Sequence, residues 1–122
     1  MIFFTSDQHF QHANIIQYCD RPFSSVEEMN LELIQRHNNV VGPQDVVFHL
    51  GDFCFGNRDN IPKFLAKLNG IHHLTVGNHD HAWNPRKYPR YLKYGFSTVC
   101  KSRQLDLTDF GFPRIITLCH LP

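Results

Sequence analysis

Three short apolar runs, Ile2 to Thr5, Val46 to Leu50 and Ile71 to Val76, each break off into Asp, His or Asn, and helix-length segments separate them. Few architectures accommodate that order. Parallel neighbours in a sheet need a long connection to bring the chain back, so strand, helix, strand, helix, strand favours a parallel sheet with crossover helices. Open sheets of this kind place ligands outside the carboxyl ends of their strands. Polar residues far apart in sequence are therefore expected to meet in space.

The connecting segments carry helix signals. Ser25 and Glu28 form a capping-box pattern ahead of Val26, Met29, Leu33, Ile34, His37 and Val41, which share a face, and Gly42-Pro43 ends that helix. Pro62 opens a second, shorter helix with Phe64, Leu65 and Leu68, closed by Asn69-Gly70. A third short helix is expected over residues 86–94, limited by Pro89. Ser97 to Leu107 and Arg114 to Cys119 read as two further strands around a turn at Asp109 to Pro113.

Composition excludes several function classes. The chain has 122 residues, which suits one domain over 1–122, and its 42% hydrophobic and 19% charged content is that of a folded core. Twelve basic residues against 11 acidic ones give no global attraction to nucleic acid or a membrane surface. No apolar run approaches the ~18–20 residues of a membrane span, and Met1 to Asp7 lacks the basic start of a signal peptide. Cys19, Cys54, Cys100 and Cys119 form no C-x-x-C pair, so free thiols in a reducing, cytoplasmic setting are expected. Nine histidines are the one excess, and they direct attention to metal or acid–base chemistry.

The strand ends supply the candidates. Asp7-x-His9 follows the first run; in extended chain, residues two apart face the same way and can address one ion. Asp52 follows Gly51, Gly77-Asn78-His79-Asp80 follows the third run, and His120 follows the last strand. Each alone has a plain structural role: Asp7 as a cap, Gly-Asp as a turn, His120 as an edge histidine. Together they form a mixed oxygen and imidazole set that suits a divalent transition ion such as Mn, Fe, Zn or Ni.

The ordered set Asp7-x-His9, Gly51-Asp52, Gly77-Asn78-His79-Asp80 and His120-x-Pro122 resembles the calcineurin-like metallophosphoesterases. The stretches FFTSDQHFQHANII and VVFHLGDF are similar to a small bacterial and phage-type branch of that family. The resemblance implies an α/β fold, a two-sheet β-sandwich flanked by helices, with two divalent metal ions on one edge, Mn first among the candidates. Asp7 and His9 would ligate one ion, Asn78 and His120 the other, and Asp52 would bridge them. His79 would contact the substrate phosphate as the catalytic group, with Asp80 orienting it. The activity implied is hydrolysis of a phosphomonoester or phosphodiester. Two cations acidify a water between them and clamp the phosphoryl oxygens during in-line displacement.

One departure stands out. The family closes its site with a Gly-His-x-His motif that this sequence lacks, so the chain is expected to be C-terminally incomplete and weakly active or inactive. His12, His49 or His81 are candidates for an empty position. His12 otherwise supports a ligand from behind, faces substrate or is a plain loop residue, His49 is read as a core residue, and His72-His73 as structural residues on opposite faces. Cys54 and Cys119 are expected to be buried and inert; Gln8 and Gln11 carry no assigned role. Six basic residues from Arg86 to Arg103, interleaved with Trp83, Tyr88, Tyr91 and Tyr94, either steer a phosphoester, nucleotide or nucleic-acid partner or form a solvated face with inward-packed rings. The alternatives to a phosphoesterase are a non-catalytic binding module on the same fold and a nuclease.

Overall fold

The computed structural model describes residues 1–120. Leu121 and Pro122, and with them the end of the fourth motif, lie outside the described residues. Four strands, β1 (Ile2–Thr5), β2 (Val46–His49), β3 (Ile71–Thr75) and β4 (Thr98–Cys100), pair in parallel in that order. Register places Phe4 beside Phe48, Phe48 beside His73, and His73 beside Thr98. A second sheet is the antiparallel pair β5 (Ser102–Asp106) and β6 (Ile115–Cys119). The two-sheet α/β architecture expected from the sequence is present.

Four α-helices connect the strands: α1 (Ile15–Tyr18), α2 (Val26–Val40), α3 (Ile61–Lys67) and α4 (Tyr88–Tyr94). At the start of α2, Ser25 Oγ accepts from the Glu28 amide at 3.1 Å. Glu28 returns its carboxylate to the Ser24 amide at 2.9 Å, one residue earlier than a capping box requires. Met29 is fully buried, and Leu33 and Ile34 pack against the core. Pro62 sits in the first turn of α3, whose Ile61 and Leu65 face inward.

The core cluster joins fold to site. Phe10 and Phe53 are essentially fully buried, and each immediately follows a candidate ligand, His9 and Asp52. Their rings meet edge to face with centroids 5.1 Å apart, and Phe10 also stacks on Phe64 of α3 at 4.6 Å. Burying each ring contributes roughly 2–3 kcal/mol, so the polar loops are anchored by apolar residues next to them.

Three expectations change. The strand read from Ser97 to Leu107 divides at Lys101: β4 completes the parallel sheet and β5 begins the second one. A period-2 pattern continues across such a switch, so the sequence does not reveal it. Pro89 does not limit the third helix but lies in its first turn, where a missing N–H is harmless. Cys119 is exposed rather than buried, because β6 turns Leu118 inward and its neighbours outward.

His49 is a core residue, as expected. Its Nε2 lies 2.9 Å from His72 Nδ1, while His73 reaches Thr98 Oγ1 at 2.7 Å. Burial lowers the pKa of all three, that of His49 most strongly. In the unfolded chain these imidazoles take up protons near pH ~6.5. Below that pH the unfolded state binds more protons than the folded one, so their stabilising contribution is full above pH ~6.5 and is lost as pH falls. Melting temperature is therefore expected to drop from pH 7.5 to pH 5, with a flatter profile for His49→Gln. Parallel profiles for the two proteins would remove His49 from that account.

Candidate metal centre

The loops after β1, β2 and β3 and the end of β6 converge on Asp52. Its side chain is buried, with Oδ2 lying 3.4 Å from His9 Nε2 and 3.3 Å from His120 Nε2. Asp7 Oδ1 lies 3.6 Å from His9 Nε2, and Asn78 Oδ1 lies 3.1 Å from His120 Nε2. Every expected ligand is thus in one place, and Asp52 occupies its middle. Ligand atoms of Asp7, Asp52 and His120 lie within 4.8 Å of one another.

The backbone brings Asp7 and His9 together in a way the extended-chain argument does not describe. Asp7, His9 and Asp52 have φ of 58°, 53° and 53°, in the left-handed region. Non-glycine residues held there cost of order 1–3 kcal/mol each and cluster at functional sites. Two backbone ladders support the turn: Asp7 and His9 donate their N–H groups to the carbonyls of Gly51 and Asp52 at 2.9 and 3.0 Å. Arg21 clamps it from outside, giving one guanidinium nitrogen to the Gln8 carbonyl at 2.8 Å and another to the Asp7 carbonyl at 2.6 Å. Local sequence carries no sign of Arg21, which follows an apolar helix and precedes a proline.

Two glycines let the loops approach. A Cβ at Gly51 would meet Gly77 N and His120 Nδ1 at 2.6 Å. A Cβ at Gly77 would collide with Asp52 Oδ1 and lie 2.5 Å from the Asp52 amide. Only hydrogen fits at either position.

Asp80 joins these loops. Its Oδ2 accepts from the Asp52 and Gly77 amides at 2.8 and 2.7 Å, and Oδ1 accepts from the Phe53 amide at 2.9 Å. Burial pushes its carboxyl up to about 6 despite those donors, with the Asp52 carboxylate adding to the rise. The expected role of orienting His79 is therefore replaced: Asp80 is buried and spent on backbone, whereas His79 is exposed. His79 is held through its backbone, which donates to Asp52 Oδ1 at 2.9 Å. Its ring stands 5.6 Å from that of His9, at the open side of the cluster.

The donor set fits a cation. His120 Nδ1 lies 2.7 Å from the Leu50 carbonyl, which can only accept, so Nδ1 carries the proton. With Nδ1 so occupied, Nε2 is the nitrogen that faces Asp52 Oδ2 and Asn78 Oδ1. Burial keeps the His9 pKa below its ordinary value against the pull of Asp52. His9 Nδ1 pairs with His12 Nδ1 at 2.9 Å, and a His9 that donates there likewise presents Nε2 to the carboxylates. His12 stacks on Phe55 with centroids 4.2 Å apart, which places it behind His9. Metal-ligating histidines are oriented by partners on their second nitrogen in this manner.

Other candidates lie elsewhere. His49 pairs with Gln8 and His72 and is no substitute ligand. The His81 amide donates to Tyr91 Oη at 2.9 Å, and its ring Nδ1 is buried without a hydrogen-bond partner. Tyr91 is fully buried and Tyr88 and Tyr94 pack on the core, so these rings serve packing rather than base stacking. Trp83 is exposed beneath the Lys101 ammonium, 4.8 Å from its ring centroid. Cys54 is buried, which pushes its thiol up to about 11 and leaves it inert.

An α/β sheet whose strand ends gather carboxylates, an amide oxygen and imidazoles around one shared aspartate is a scaffold suited to holding metal. The chain belongs to the calcineurin-like phosphoesterase family, whose model matches residues 1–120. It is 43% identical over 100 residues to the uncharacterized protein MJ1445 of Methanocaldococcus jannaschii, covering 80% of this chain and 57% of that one. Gene 66 protein of Mycobacterium phage D29 is 34% identical over 93 residues, covering 74% of this chain and 43% of the phage protein. Gene 66 protein of phage L5 is 29% identical over 129 residues, covering 98% and 62%. The crystal structure of a protein of unknown function, AQ665, from Aquifex aeolicus superposes with a TM-score of 0.77 at 28% identity, covering all of this chain and 61% of that one. The chain therefore spans about two-fifths to three-fifths of the length of these relatives. The family is metal-dependent, and no helix among the described residues is long and apolar enough to cross a membrane.

Asp80→Asn tests the junction. An amide in place of the carboxylate turns N–H toward at least one backbone N–H and leaves that buried donor unpaired, a loss of about 1–3 kcal/mol. Denaturant unfolding is expected to show that loss; a change below ~0.5 kcal/mol would mean the three bonds are not what joins the loops.

Proposed function

We propose that this chain is a metal-dependent phosphoesterase that hydrolyses a phosphomonoester or phosphodiester with two divalent ions, Mn first among them. One observation carries the reading: the buried Asp52 carboxylate lies between the imidazoles of His9 and His120, 3.4 and 3.3 Å from their Nε2 atoms. Asp7, His9 and Asp52 would hold one ion, and Asp52, Asn78 and His120 the other. A negative bridging carboxylate offsets the repulsion between two cations. When bound, the ions supply Lewis acidity toward phosphoryl oxygens and lower the pKa of an attacking water.

The protein's own groups do the rest. His79, exposed beside His9 and fixed through its backbone, meets the phosphate and delivers a proton to the leaving oxygen or stabilises its charge. Asp80, through the backbone amides of Asp52, Phe53 and Gly77, keeps the Asp52 carboxylate in place. The free thiols support a reducing, cytoplasmic setting, and the family supports phosphoester substrates.

Mn2+ titration of the apo chain, followed by calorimetry or electron paramagnetic resonance, is expected to show saturable binding. Asp52→Asn should weaken it at least about 100-fold, since it removes the bridging charge. His79→Gln should keep Mn2+ binding and, in a longer form that carries a Gly-His-x-His motif, lower hydrolysis of bis(p-nitrophenyl) phosphate by about 100-fold or more. A folded wild-type chain that refuses Mn2+ and Zn2+ at micromolar levels would overturn the reading. Mn2+ binding without turnover of either a mono- or a bis-aryl phosphate, by a longer form that carries a Gly-His-x-His motif, would favour the non-catalytic binding module.

A further inference from the structure

Three polar side chains run inward from the metal loop and take no part in the chemistry above. Gln8 lies between Asp7 and His9, yet its Nε2 is 2.9 Å from Nδ1 of the fully buried His49. A weaker contact joins the same Nε2 to Thr5 Oγ1 at 3.4 Å. His49 Nε2 is 2.9 Å from Nδ1 of the buried His72, and His72 Nε2 is 3.2 Å from the carbonyl of Leu68, the residue that closes α3.

The far end sets the direction of the whole chain. An imidazole nitrogen can donate or accept, but a carbonyl oxygen only accepts. The Leu68 carbonyl therefore calls for the proton on His72 Nε2. A neutral His72 accepts at Nδ1, so His49 carries its proton on Nε2 and accepts in turn at Nδ1. Only the amide nitrogen of Gln8 can supply that last bond. Burial, which lowers both histidine pKa values, keeps the rings neutral as the sequence of bonds requires. The same logic leaves Gln8 Oε1 without a partner, and it is indeed one of the buried polar atoms without one. Left to itself, Gln8 would flip its amide and let Oε1 accept from His49; the Leu68 carbonyl forbids this from across the sheet.

We propose that Gln8, His49 and His72 form a one-way hydrogen-bond relay that holds the Asp7–His9 loop in its ligand-presenting geometry, which makes them positioning residues for the metal centre. The proposal rests on the reading of Asp7 and His9 as metal ligands. Asp7 and His9 both hold left-handed backbone, and Gln8 is the residue between them. Pinning its side chain to the core limits how that strained turn can relax.

Two measurements test it. Long-range 15N–1H spectra of the apo protein at pH 7.5 should show His49 and His72 both as neutral Nε2–H tautomers. In His72→Phe, the proton of His49 should move to Nδ1 and face Gln8 Oε1, a switch that a merely space-filling His72 would not produce. Mn2+ titration of Gln8→Met, of similar length but unable to donate, should show affinity reduced by about 10–100-fold with little loss of melting temperature. An Nδ1–H tautomer at either ring of the wild type overturns the relay, and so does a His49 tautomer unmoved in a folded His72→Phe. Unchanged Mn2+ affinity in Gln8→Met overturns the positioning role. A wild-type chain with the expected tautomers that binds no Mn2+ overturns the metal reading, and the positioning role with it.

Discussion

The Asp80 carboxylate is the contact on which the site depends. Four residues of apparent metal motif, Gly77 to Asp80, follow β3, but the last of them turns away from the ligands and accepts three backbone N–H groups. Those donors come from the loops after β2 and β3, so one buried side chain joins two strand ends. Burial makes the arrangement demanding: an unpaired buried donor costs about 1–3 kcal/mol, and a buried carboxylate without donors would neutralise. Partners and carboxylate therefore stabilise one another, and Asp52 inherits a fixed position from the pair.

Around that junction the site is held from three directions. Phe10 and Phe53 anchor the loops in the apolar core directly after His9 and Asp52. Arg21 grips the carbonyls of Asp7 and Gln8 from the outer side. Gln8 reaches inward to His49. The strain of left-handed backbone at Asp7, His9 and Asp52 is tolerated because each residue is tied at more than one point. The consequence is a cluster in which the Asp7 and Asp52 carboxylates, the Asn78 amide oxygen and the His9 and His120 rings are held 3.1–3.6 Å apart.

Much of the candidate site was legible because its residues stand at strand ends, and strand ends are visible as abrupt changes from apolar to polar. Asp7, His9, Asp52, Asn78, His79 and His120 were all found by that signal and are all brought together. The roles that depend on direction were not legible. Asp80 reads like a site carboxylate and serves the backbone; Gln8 reads like filler and contacts the core; Arg21 has no motif. Each owes its role to a partner between 13 and 41 residues away, such as Gln8 for Arg21 and His49 for Gln8. The division of the strand at Lys101 escaped for a related reason, since alternation records which face is buried but not which sheet does the burying.

The sequence by itself determined the order of β1, α2, β2, α3 and β3, the identity of the donors and their delivery to one edge of a parallel sheet. Hydrophobic periodicity and chain connectivity are local properties, and the topology of parallel crossovers leaves few alternatives. Tertiary structure alone decided which nitrogen of each histidine faces the centre, which carboxylate bridges loops, and how Asp7 and His9 converge through left-handed rather than extended backbone. Those outcomes depend on hydrogen-bond partners and close approaches, such as Gly77 against Asp52, that exist only once distant segments share the same few ångströms.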